Sequence, residues 1–181
     1  MNNSLSADGP SRRQLLKFGL LGTVVLATVG GAASLYHGFS RLTPAADFKQ
    51  LRESDLPMLR RLIPIILDGA LPADSPAAAI ETTLHGLDNS LQHLSPSMLK
   101  QSLQLFDLLS MDLTRGPATG IWSRWENASD KDIQGFLHRW QHSRLALLRQ
   151  GHTALQQAVL LVWYSLPASW EHCGYPGPPR L

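Results

Sequence analysis

Residues 152–166 read HTALQQAVLLVWYSL, and their pattern decides the fold. The run predicts a helix closed by Pro167, with a second half, Ala158 to Tyr164, that is apolar nearly all round. Such a helix has no polar side to give to water, so it is either central to a bundle or covered by another surface. Gly151 is expected to interrupt the chain just before it, leaving His152 to cap or precede it.

Working outward, the rest of the chain beyond residue 53 also follows a helical period, with almost no strand signal. LPMLRRLIPIILDGAL (56–71) begins after Ser54-Asp55, a suitable N-cap, and repeats Leu56, Leu59, Ile63, Ile66 and Leu67 on one face. Pro57 is tolerable in the first turn, whereas Pro64 removes a backbone donor and predicts a kink. After a breaking segment from Gly69 to Pro76, a second helix is expected to Leu94, with Ile80, Leu84, Leu87, Leu91 and Leu94 as its stripe. Ser95-Pro96 then places a cap before a proline at the first helical position. The third helix carries Met98, Leu99, Leu103, Phe106, Leu109 and Leu113, and Thr114 to Gly120 is expected as a loop. Ser129 with Asp130 and Asp132 marks the next N-terminus. Ile133, Phe136, Leu137, Trp140, Arg144, Leu147 and Leu148 line that helix, with Trp122 and Trp125 expected to pack onto it. The sum is an all-α fold, a small irregular bundle of about five helices over residues 54–165. Before it come an N-terminal hydrophobic segment (1–36) and a linker (37–53), and after it an extended proline-rich tail (166–181).

The N-terminal segment reads as an export signal. Ser11-Arg12-Arg13-Gln14-Leu15-Leu16-Lys17 has twin arginines, apolar residues two and three places later and a lysine, the pattern of a twin-arginine (Tat) leader. The following run, Phe18 to Ala33, is diluted by glycine and threonine, as suits such a leader; an uncleaved membrane anchor is the alternative. The signal residues are Ser11, Arg12, Arg13, Leu15, Leu16 and Lys17, and the expected location is the periplasm, reached through the Tat translocase. The formal net charge of the 181-residue chain is +2, and the first 36 residues hold three of its 16 basic and one of its 14 acidic residues. The remainder is balanced, which gives no support for nucleic-acid binding.

Chemistry is sparse in the rest. His138 and His142 lie four apart on a helix, a spacing that could present two imidazoles to a metal, but the acidic residue of a zinc-protease motif is absent. Asp107 and Asp112 are five apart and do not share a helix face, so paired-carboxylate chemistry has no support. The sequence has no glycine-rich phosphate loop, nucleophile elbow or haem-attachment motif, and its one cysteine cannot hold a cluster. No catalytic, cofactor-binding or metal-binding residue is therefore expected in this chain. What stands out is suited to a partner protein: Trp163, Tyr164, Trp170 and Tyr175 supply large rigid anchors. Pro176, Pro178 and Pro179 favour a segment lying extended on another surface. Cys173 is placed to bridge to that partner.

Together, the leader, IPIILDGALP (63–72), the late Trp163-Tyr164, Pro167-Ala168-Ser169-Trp170 and Gly174-Tyr175-Pro176-Gly177-Pro178-Pro179 resemble the gluconate 2-dehydrogenase subunit 3 family. The resemblance implies a non-catalytic small subunit that carries the Tat signal for a large FAD-dependent subunit of the glucose–methanol–choline type. That complex would oxidise a sugar, sugar acid or alcohol, often with a multihaem cytochrome c as a third subunit. Cys173 and the Asp68-Gly69-Ala70 insertion depart from the family pattern, so the bridge does not follow from it. The competing readings are a membrane-anchored structural protein and a stand-alone metal enzyme built on His138 and His142.

Overall fold

The computed structural model describes residues 43–172 and Gly174; the leader residues, Cys173 and the tail from Tyr175 onward lie outside the described residues. Among the described residues there are seven α-helices and no strand: α1 (Leu56–Ile66), α2 (Pro76–Gln92), α3 (Pro96–Ser110), α4 (Asp112–Thr119), α5 (Asp130–Gln141), α6 (Ala146–Ser165) and α7 (Ala168–His172). The all-α expectation holds, with two helices beyond the five expected.

Helix α6 packs against α2, α5 and α1, while α1 packs in turn on α2 and α5. These four helices share a core that includes Leu59, Leu62, Ile63, Leu84, Leu87, Phe136, Trp140, Leu155, Val159 and Trp163. The hairpin of α3 and α4 adds Phe106 and Leu109 to the same core. Thus α6 is central on one side only: Val162 and Trp163 are buried, while Leu161 and Tyr164 face solvent.

The expected caps hold where the side chain is short and polar. Ser129 Oγ accepts from the Asp132 amide at 3.2 Å and starts α5; Ser95 Oγ accepts from Met98 and starts α3 ahead of Pro96. Asp55 precedes α1 without capping it, because its carboxylate is committed to Arg52.

Glycine and proline mislead in two places. Thr114 to Gly120, expected as a loop, belongs to α4, which runs through Pro117 and stops at Gly120 with φ 75°. A Cβ on Gly116 would stand 2.5 Å from the Trp122 ring, so that glycine is a seat for the indole rather than a breaker. Gly151, expected to interrupt, lies inside the continuous α6; a Cβ there would meet Trp140 Cζ3 at 2.6 Å. The break lies earlier, at His142–Leu145, where the Leu145 amide donates to Ser143 Oγ at 3.1 Å. Arg144 and Leu147 are exposed as a result and do not continue the face of α5.

Further differences follow from packing. Met98, Leu113 and Trp122, expected on the core side, are exposed, whereas Trp125 is buried edge-on to Phe136 and donates its indole N–H to Leu109 O at 2.8 Å. The segment expected as a linker buries Ala45, Leu51 and Arg52, while Thr43, Pro44, Ala46, Asp47 and Lys49 are exposed. The tail expected to be extended begins with α7, which packs on α6.

Candidate partner surface

Two turns bring distant segments together. After α1, Leu67 closes the helix, Gly69 takes φ 75°, and the Ala70 amide donates to Leu67 O at 2.8 Å, sending Leu71 and Pro72 back along the bundle. After α6, Leu166 is extended and Pro167 blocks helix continuation. The Ser169 amide and hydroxyl both donate to Leu166 O, which turns the chain into α7 and buries Ser169. Between these turns lies an open groove of about 500 Å³ lined by Ala70, Leu71, Pro72, Asp74, Ser75, Pro167 and Ala168. Its lining mixes small apolar residues with the polar Asp74 and Ser75, so that polar and apolar surface are exposed in comparable amounts.

The expected interface residues fall into separate groups. Trp163 is fully buried in the core, and its Nε1 has no hydrogen-bond partner among the described residues. It is a packing residue, because α2, α5 and α1 close around that face of α6. Tyr164, on the opposite side, is 49% exposed, and Leu161, one turn earlier on the same face, is 73% exposed. Trp170 is half-buried on α7. Cys173, Tyr175, Pro176, Pro178 and Pro179 lie outside the described residues, as do Ser11, Arg12, Arg13, Leu15, Leu16 and Lys17.

His138 and His142 do come together, ring centroids 4.3 Å apart, at the C-terminal end of α5. His142 Nδ1 bonds to the His138 carbonyl at 3.0 Å. Among the described residues no third histidine, cysteine or carboxylate joins them in a group that could hold a metal ion. His152, expected at the helix start, is a buried residue inside α6; burial, reinforced by nearby His142, lowers its pKa.

Sequence reasoning missed the charged residues under residues 43–55, the strap that leads into α1. Asp88, on α2, accepts from the amides of Lys49, Gln50 and Leu51 at 2.7–3.0 Å and from the Gln92 side chain. Arg52 is held by Asp55 through Nε and Nη2, and by Asp107 of α3 through Nη1 at 2.6 Å. Burial raises the Asp107 pKa despite the neighbouring Arg52 cation. Only the Arg52/Asp55 spacing of three was visible in the sequence; Asp88 and Asp107 reach the strap from 37 and 55 positions away. All three carboxylates are enclosed, so they hold backbone and guanidinium in place rather than meet a substrate.

Among the described residues no helix is long and apolar enough to cross a membrane. No family model, curated protein or solved structure matches the chain.

Proposed function

We propose that this chain is the small accessory subunit of a periplasmic dehydrogenase, bringing a Tat export signal to a large FAD-dependent subunit that lacks one. Oxidation of the sugar, sugar acid or alcohol, and FAD itself, belong to the partner. A cytochrome c subunit would carry the electrons onward. The observation that supports this reading best is the meeting of two segments far apart in the chain, Ala70–Pro72 and Pro167–Ala168, around one groove. Both belong to the stretches that resemble the subunit 3 family. Exposed Tyr164, three residues before Pro167, and Leu161 add apolar area on the neighbouring helix, and aromatic side chains of this kind dominate protein interfaces.

The test is co-expression with a large FAD-dependent subunit of the glucose–methanol–choline type, sought first in the reading frames beside this one. With the wild-type chain the flavoprotein is expected in the periplasm, soluble and active. With Arg12→Lys and Arg13→Lys together it is expected to stay in the cytoplasm. Ala168→Arg, which fills the groove with a charge, is expected to abolish co-purification while leaving thermal unfolding of the small chain unchanged. A flavoprotein that is exported, soluble and fully active without this chain overturns the proposal.

A further inference from the structure

The strap at residues 43–55 is the link between the N-terminal segment and the bundle, and it is held by an unusual set of contacts. Leu51 is its only large side chain that is fully buried. Phe48 stacks flat on the exposed His85 ring at 4.6 Å. Besides the small buried Ala45, what ties it down is polar: the Asp88 carboxylate on its amides, and Arg52 between Asp55 and Asp107.

The charges in that last group do not cancel. One guanidinium stands between two carboxylates, and the three side chains are 5%, 0% and 8% exposed. With both acids ionised the site buries one excess negative charge, which a low-dielectric interior opposes. The two acids are not equivalent. Asp55 takes two bonds from the Arg52 guanidinium and a third from the Arg52 backbone amide, and the Ser110 hydroxyl points to its Oδ1 at 3.5 Å. Asp107 accepts one bond, from Nη1 to Oδ1. A proton on the other Asp107 oxygen keeps that bond and removes the excess charge.

We propose that residues 43–55 form a latch whose closed state takes up a proton at Asp107, so that the strap is held more tightly on the bundle as the surroundings become acidic. The charged groups acting on Asp107 are Arg52, which favours its ionised form, and Asp55, which opposes it. From α4, Thr114 donates towards the carbonyls of Asp107 and Leu108, and Asp112 is paired with Arg115. Burial outweighs the Arg52 attraction and leaves the Asp107 pKa above its ordinary value of 3.8. The closed state therefore binds more protons than the open one over the interval above 3.8, and closure strengthens as pH falls through it.

Amide hydrogen exchange of the full chain, corrected for intrinsic rates and followed between pH 7.5 and pH 4, tests the latch. The protection of the Lys49, Gln50 and Leu51 amides is expected to rise on acidification, by at most about tenfold per pH unit for one proton. Asp107→Asn is expected to flatten that slope while keeping the strap protected. Should the variant fail to fold, the carboxyl carbon resonance of wild-type Asp107 gives the same answer, with a midpoint expected above that of ordinary aspartates. An ordinary Asp107 midpoint, or an unchanged slope in Asp107→Asn, overturns the proposal. So does strap exchange that matches, at every pH, the exchange of Val159 and Val162 in α6, because the strap would then open only with the whole bundle.

Discussion

The strap and helix α6 are both tied to the same bundle, by opposite means. The strap is held by carboxylates that reach in from α2 and α3 to meet its amides and Arg52. Helix α6 is held by volume, with Trp163, Val162, Val159 and Leu155 filling the space between α1, α2 and α5. Its close approach depends on glycine: Val162 Cγ1 sits 2.6 Å from where a Gly86 Cβ would be, and Trp140 sits equally close at Gly151. Apolar packing tolerates changes of pH and resists changes of size. Polar anchoring does the reverse, because each hydrogen bond is replaceable by water once the segment lifts, whereas a filled core has no such alternative.

The largest expected effect lies on the apolar side. Trp163→Ala removes the biggest fully buried side chain and is expected to cost about 4 kcal/mol in urea unfolding. A loss below about 1 kcal/mol would mean that α6 is not the centre of the core. Next, Asp88→Ala strands the Lys49, Gln50 and Leu51 amides and is expected to cost about 3 kcal/mol. Exchange should rise in the strap well before it rises in α6. Equal rises in both would erase the distinction between the two regions. Gly151→Ala drives a methyl into the Trp140 ring and is expected to cost about 2 kcal/mol. A neutral result would show that α5 and α6 separate easily. Leu161→Ser and Tyr164→Ser, on the exposed face of the same helix, are expected to change stability by less than about 0.5 kcal/mol. If the proposed function holds, their effect appears in co-purification with a large FAD-dependent subunit.

The pH response separates the regions by sign. The lowered pKa of buried His152 means that the unfolded chain takes up a proton below the ordinary value of 6.5 while the folded one resists. Stability from this group is present above 6.5 and is lost as pH falls through the folded-state value. Asp107 works in the other direction, its raised pKa adding stability on acidification. Global unfolding followed from pH 7.5 to pH 5 should therefore lose less stability on acidification in His152→Gln than in wild type. A wild-type slope in that variant would remove His152 from the account.

How far the sequence reached depended on whether a signal was local. Ser95 and Ser129 were legible as caps because a cap is decided by the amides two and three residues on. The buried stripe of α2, Leu84, Leu87 and Leu91, was legible from its period alone. Gly116 and Gly151 were not, because glycine marks a turn and a close contact with the same letter, and only the positions of Trp122 and Trp140 tell which. The candidate site divided in the same way. Of the two residues expected as partner anchors on α6, Tyr164 is exposed and Trp163 is buried, since a helix apolar on all sides does not say which side its neighbours will cover.

By itself, then, the sequence determined an all-α body whose helices begin at short polar caps and present periodic apolar faces, and it placed a twin-arginine signature ahead of that body. Only the tertiary structure decided that residues 43–55 are clamped rather than loose. The same is true of the turns at Gly69 and Pro167, which meet around one groove, and of α6, which leaves Leu161 and Tyr164 exposed. The physical reason is common to all three. Each depends on groups dozens of residues apart arriving at the same place, and no local preference encodes that arrival.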